Sequence, residues 1–427
     1  MDLKTLAILL FILTYGLLLT FPKYRAHIAV IAAFLFVMLD IVPVEVMFSQ
    51  IDWNVILMIV GTMGVVGFFI ESKMPALLAD IIVEKTPNVK WAVVLLSIAA
   101  GLISAFIDNV ATVLMFAPVA LVMCKRLNIS PVMPIIAISI SSNLQGAATL
   151  VGDTTSILLG SYLGMNFSDF FFFKGKFSLF WIVQAGAIAS ILILLWFFRK
   201  EKNRVEPMPR TKVSDYVPTV LLALIVVLLI IASFINNKPK LINGIICISL
   251  FGVGLIYKLF RTGDFKVFAK SLSEIDYETV ILLASLFVII AGLKLVGVIQ
   301  DISNFFIKVS GQNVLLAFLL IVWGSVLISA FVDNIPYVMA MLPVVDQITV
   351  SLNLTGNAQY VLFFGLIIGA TLGGNLSPIG ASANITSIGI LRRDGYEVKT
   401  WDFMKLGIPF TLTAVAVGSI LVYLIWG

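Results

Sequence analysis

"GLISAFIDNVATVLMFAPV", residues 101–119, sets an acid and an amide, Asp108 and Asn109, inside an otherwise apolar run. The chain writes nearly the same phrase again as "SVLISAFVDNIPYVMAMLPV", residues 325–344, with Asp333 and Asn334 at the same point. "ISAFIDN" (103–109) and "ISAFVDN" (328–334) differ at one position and lie 225 residues apart. "IDWNVILMIVG" (51–61) resembles "IDYETVILLAS" (275–285), and "GAATLVGDTTS" (146–156) aligns with "GNLSPIGASAN" (374–384). Similarity that recurs in one order at a nearly fixed spacing is an internal duplication.

The surroundings of these phrases settle the class. Of 427 residues, 60% are hydrophobic and 12% charged, and the mean hydropathy is +1.10. Soluble domains carry about 25% charged residues. Runs of about 18 or more apolar residues recur from end to end, the mark of a polytopic all-α membrane protein. No ten-residue segments alternate with period two, which excludes a β-barrel. The N-terminal apolar run is long enough to span, and it is read as a retained first span rather than a signal peptide. The net charge of +5 does not imply nucleic-acid binding, because the bases sit in short loops between spans. Cys124 and Cys247 lie apart in apolar surroundings and read as packing residues. His27, beside Lys23 and Arg25, reads as interfacial.

The apolar segments divide the chain into a first repeat (1–198), a basic linker (199–216) and a second repeat (217–427). In each repeat the stretch carrying Asp-Asn, 91–124 and 313–345, is too long for one crossing and too short for two full ones. Two short arms meeting at a polar tip make a re-entrant hairpin. Each repeat then crosses the bilayer five times, and the odd number inverts the second repeat relative to the first. The segments 131–164 and 358–391 are interrupted by Gly146 and Gly152, and by Gly374 and Pro378, and are expected to be broken helices. With both termini outside, 21 of the 28 basic residues fall in cytoplasmic loops, as positive-inside orientation requires. The stretches 72–88 and 300–313 read as short amphipathic helices at the membrane surface. Lys294, near the end of its span, can snorkel to the interface.

An ionised carboxylate at a midplane tip costs several kcal/mol, so Asp108 and Asp333 are functional candidates by default. Capping of the second hairpin arm is the plainer alternative. With Asn109 and Asn334 the two acids offer oxygen ligands for Na⁺, or a place for a proton. The first broken helix adds Asn143, Asp153 and Thr154; Ala381 stands opposite Asp153, so the two expected sites, one per repeat, are chemically unequal.

Four motifs in order, "AFIDNVATVLMFAPV" (105–119), "SNLQGAATLVGD" (142–153), "AFVDNIPYVMAMLPV" (330–344) and "GATLGGNLSPIGASANI" (369–385), resemble the ion transporter superfamily over nearly the whole chain. The Asp-Asn tips resemble its branch of arsenite-pump membrane subunits (ArsB), NhaD-type sodium/proton antiporters and the melanosomal P protein. The related sodium-coupled dicarboxylate symporters carry Ser-Asn-Thr there. The resemblance implies paired hairpins, a cation site beside each tip, an elevator-like transport domain and a homodimer. By position it points to Asp108, Asn109, Thr112 and Gly152, and to Asp333, Asn334, Gly374, Asn375, Ser382 and Asn384. Where the family often has Gly-Asp-Pro-Pro-Asn this chain has "GDTTS", and Tyr337 stands where the first repeat has Thr112.

These readings converge on a secondary active transporter in a prokaryotic plasma membrane, with Na⁺ or H⁺ as coupling ions and no other cofactor. Cation/proton antiport fits acids at both tips and no arginine at the midplane. Arsenite efflux, with a soluble ATPase as partner, is the alternative, and sodium-coupled anion transport the second. The chain has no Walker A sequence for hydrolysing ATP itself. An intramembrane aspartyl protease needs two carboxylates sharing a proton, whereas the duplicated acids sit on separate tips. A channel is the remaining rival, and flux that saturates and exchanges against a second ion would exclude it.

Overall fold

The computed structural model describes residues 2–205, 210–263, 265–273 and 275–427; residues 206–209 of the expected linker lie outside that set. In the first half the helices are α1 (Leu3–Thr20), α2 (Arg25–Met38), α3 (Val44–Met47), α4 (Trp53–Glu71) and α5 (Met74–Glu84). Then follow α6 (Val89–Ser104), α7 (Asn109–Arg126), α8 (Val132–Gln145), α9 (Thr154–Leu163) and α10 (Leu179–Phe197). The second half holds α11 (Val217–Ser233), α12 (Ile242–Thr262), α13 (Phe265–Ser273), α14 (Tyr277–Leu295) and α15 (Val298–Ser310). It closes with α16 (Val314–Ser329), α17 (Asn334–Ser351), α18 (Tyr360–Gly373), α19 (Ser382–Arg393) and α20 (Thr400–Trp426). A two-stranded hairpin, Phe172–Phe173 with Lys176–Phe177, turns on Lys174 and Gly175, both at positive φ. Two-residue hairpin loops favour that conformation.

The element starts explain why breaks fall where they do. Asp52 and Asp276 cap α4 and α14, accepting from the backbone N–H of Val55 and Thr279 at 3.2 and 3.1 Å. Asn88 and Asn313 cap α6 and α16 in the same way. Asp108 and Asp333 cap α7 and α17. A side-chain oxygen at such a position satisfies backbone donors that the first turn leaves unpaired. The stretches 91–124 and 313–345 are therefore each two helices with a break, at 105–108 and 330–333. Both return arms carry an internal proline, Pro118 and Pro343, which removes one helical hydrogen bond and bends the arm.

Among the described residues seven helices are long and apolar enough to cross a membrane: α1, α4, α7, α10, α12, α14 and α20. Others, such as α2, α6 and α11, are shorter apolar helices. The protein is a multi-pass integral membrane protein. A wide apolar belt, including Ile12, Phe34, Leu192 and Leu424, stays exposed, as lipid-facing surface must.

Packing interleaves the halves. α4 packs against α12, and α14 against α2. A Cβ on Gly61 would lie 2.3 Å from the Cys247 backbone, so the α4–α12 crossing is possible only with glycine there. The return arms also cross over: α7 packs on α19 and α17 on α9. Both cysteines are buried and free. Along the linker, Arg210 donates to both oxygens of Glu84 at 2.7 and 3.2 Å, while Thr211 donates twice to Asp80, so the strand is held along α5.

Candidate functional site

Each tip is built by the break it faces. At the first, Asp108 Oδ1 accepts from the N–H of Val110 and Ala111 at 3.0 and 3.1 Å. Its Oδ2 has no hydrogen bond among the described residues. The Asn109 amide donates to Asn143 Oδ1 at 3.0 Å and accepts from the Ser104 hydroxyl at 3.1 Å. Asn143 in turn donates to the Thr371 carbonyl (2.9 Å) and to Asn375 Oδ1 (3.1 Å), and Asn375 donates to the Ile140 carbonyl (2.9 Å). The two broken helices are thus tied together by amides at their break points. Buried amides are stable there because nearly every donor and acceptor is used.

The break loops close over the ends of the first hairpin arms. Thr149 donates to the Ala105 carbonyl, and Ser377 to the Ala330 carbonyl. Both carbonyls end a helix and would otherwise lack a donor. Within the loops, Ser156 donates to the Gly146 carbonyl at 3.0 Å and Asn384 to the Gly374 carbonyl at 3.1 Å. Gly146 leaves room for the tip itself: a Cβ there would lie 2.8 Å from Asn109 Oδ1 and 2.8 Å from Asp153 Cβ.

Asp153 caps α9, accepting from the Thr154 N–H at 2.7 Å and the Thr155 hydroxyl at 3.0 Å. The Thr155 and Thr371 hydroxyls are 3.0 Å apart, which links the acid to the other half of the chain. Asp108 and Asp153 share a small pocket against Ile59, Thr62, Met63 and Val66 of α4.

The structure corrects two expectations. The two tips open onto one shared space. Asp108, Asn109, Asn143, Asp153, Thr154, Asp333, Asn334 and Ser382 all line one cavity of about 640 Å³. And an arginine does reach a tip: Arg25 Nη1 lies 2.8 Å from Asp333 Oδ2, with both side chains about three-quarters buried. Asp333 Oδ1 accepts from the Ile335 N–H at 3.1 Å, so both oxygens are engaged. By sequence Arg25 stands at a span boundary and reads as a loop residue. Only four residues separate α1 from α2, and Arg25 is the first residue of α2, where its side chain meets the second tip. At an effective dielectric of about 20, unit charges about 4 Å apart attract by about 4 kcal/mol.

Other expected residues lie outside the cavity lining. Thr112 is buried, its hydroxyl bonded to the Asp108 carbonyl. Gly152, Gly374, Asn375 and Asn384 shape the breaks: a Cβ on Gly152 would meet the Gly146 and Ala105 carbonyls at 2.8 and 2.9 Å. Polar residues not anticipated at the cavity include Lys23, Arg25, Asp276, Glu278, Thr279 and Thr386. Asp276 and Glu278 were visible as the acidic start of α14; nothing local marked that this helix end faces the tips. Lys294 is exposed near the end of α14.

A family model described as citrate transporter (CitMHS) matches residues 8–364. An uncharacterized transporter of Mycobacterium tuberculosis is 30% identical over 99% of this chain and 98% of its own length. The human P protein is 26% identical over 86% of this chain, which spans 53% of that protein. Among solved structures, the YdaH transporter of Alcanivorax borkumensis has a TM-score of 0.60 at 14% identity, covering 88% of this chain and 85% of that one. MtrF of Neisseria gonorrhoeae, described with a class of antimetabolite efflux pumps, has a TM-score of 0.52 at 16% identity, covering 88% and 81%. At such identities the likeness is one of fold.

Proposed function

The chain belongs to the citrate transporter family, CitMHS, and on that premise we propose that this transporter exchanges a small cation, Na⁺ first, against protons. The observation that carries the reading is the composition of the shared cavity. Asp108, Asp153, Asp333, Asp276 and Glu278 line it against only two bases, Lys23 and Arg25. Carboxylates and amide oxygens in a cavity at membrane depth suit a hard cation or a proton and disfavour an anion. Asp108 supplies the primary ligand, through an oxygen its capping bonds leave over. Asp153, in the same small pocket, takes the proton or the balance of the charge.

The transport cycle we infer is elevator-like. The two halves are inverted repeats, each crossing five times and contributing one re-entrant hairpin. α4 with α12, and α2 with α14, form the fixed part, while hairpins and broken helices move across it. α5 and α15 are the arms between the parts, and a homodimer braces the fixed part. With both termini outside, Lys23 and Glu278 stand at a cytoplasmic mouth, and the conformation is inward-facing.

Lys23 and Arg25 favour one second reading, in which a polycarboxylate is carried with its counter-cation. Proteoliposomes separate the two. A Na⁺ gradient that drives proton movement without citrate supports exchange; flux that appears only with citrate overturns it.

A further inference from the structure

The two tips are nearly identical in sequence and unequal in structure. Asp108 spends one oxygen on capping and keeps the other without a hydrogen bond or ion pair among the described residues. Asp333 spends one oxygen on capping and the other on Arg25. The helix start corresponding to Arg25 in the second half is Ile242, which offers no charge in return. The grip on the second tip is double: the Tyr15 hydroxyl donates to the Pro336 carbonyl at 2.8 Å, three residues beyond Asp333.

We propose that Arg25 is a built-in cation that fills the second tip in this conformation, leaving the first tip as its exchangeable cation site. The inference rests on the cation reading above. A guanidinium is more weakly hydrated than a compact cation and binds a carboxylate through directed N–H donors. Tethered by the short α1–α2 turn, it also acts at a high effective concentration, which free Na⁺ does not match. The duplication then supplies two similar hairpins, but only one carries cargo. In this conformation the second tip is tied to the fixed part through Arg25 and Tyr15, and its charge is balanced whether or not cargo is bound. Arg25 therefore sets how many cations the protein holds in this conformation.

The test counts bound Na⁺ on purified full-length protein by equilibrium dialysis with radiolabelled Na⁺. Na⁺-driven proton flux is measured in parallel in proteoliposomes. Wild type and Arg25→Lys are expected to bind one Na⁺ per chain. Arg25→Gln frees Asp333 and is expected to bind two, with a steeper Na⁺ dependence of flux. The double variant Arg25→Gln/Asp333→Asn, which removes both charges and leaves neither unpaired, is expected to return to one. It also covers the case in which Arg25→Gln alone does not fold. Two Na⁺ on wild type, an unchanged count on folded Arg25→Gln, or loss of Na⁺ from the double variant overturns the assignment of Arg25. Wild type with neither bound Na⁺ nor flux overturns the cation reading itself.

Discussion

Asn143 and Asn375 meet side chain to side chain, 3.1 Å between Nδ2 and Oδ1, where the broken helix of one half crosses that of the other. Asn143 also holds the first tip through Asn109 and the second broken helix through the Thr371 carbonyl. One side chain thus fixes a tip and both breaks.

Replacing Asn143 with alanine removes the acceptor of the Asn109 amide N–H and the donor to the Asn375 amide oxygen and the Thr371 carbonyl. Each buried unpaired group costs about 1–3 kcal/mol. The expected result is a loss on the order of 3 kcal/mol of stability together with loss of transport. Thermal unfolding in detergent checks the first and proteoliposome flux the second. A variant with wild-type melting and flux would show that the amide network is incidental.

Asp108→Asn keeps an oxygen able to cap α7 and removes the charge. Folding and monodispersity should stay as in wild type, while cation-driven proton flux is abolished. Asp153→Asn is expected to uncouple proton from cation movement and to keep cation binding. Equal Na⁺ affinity and flux in Asp108→Asn and wild type would remove this residue from the site.

The glycines at the breaks give a steric prediction. Gly146→Ala places a methyl group 2.8 Å from Asn109 Oδ1, and Gly374→Ala one 2.7 Å from the Gly380 carbonyl. Each should cost about 1–3 kcal/mol, as overpacking does, and should impair flux. Gly389→Ala in α19 meets nothing within 4 Å. There the change should be neutral or stabilising by up to about 1 kcal/mol. Equal melting of all three variants would argue against a rigid break.

On the linker, the Arg210 guanidinium holds the Glu84 carboxyl below its ordinary range. A carboxyl lowered in the folded state contributes stability above its unfolded pKa and loses it as pH falls through the folded value. Acidification below the usual glutamate range, or Glu84→Gln at neutral pH, should therefore loosen the linker. Faster tryptic cleavage after Arg210 and Lys212 reads it out. Cleavage at the wild-type rate in Glu84→Gln would show that the pair does not hold the strand.

Much of the chemistry was legible locally. Asp-Asn inside an apolar run announced the helix breaks, because an acid there pays for itself only as a cap or a ligand. Gly146, Gly374 and Pro378 marked the broken segments for the same kind of local reason. What could not be read was anything that joins distant segments. Arg25 looked like a loop residue, since the depth of a turn depends on helix tilt and packing rather than on its own neighbours. The merging of the tips onto one cavity, and the pairing of Asn143 with Asn375, are also products of the crossover between halves. Thr112 and Asn384 are buried away from the cavity lining: Thr112 donates to the Asp108 carbonyl, and Asn384 donates to the Gly374 and Ser377 carbonyls and accepts from Ser139.

That crossover has a consequence for biogenesis. The arm α7 finds its partner in α19, and α17 finds its partner in α9. When the first half leaves the ribosome, one face of α7 has nothing to lie against until some 250 residues more have been made. The nascent chain must wait in the membrane with polar edges such as Asn143 uncovered. Quality control should accordingly detect truncation late in the second half as readily as an error in the first.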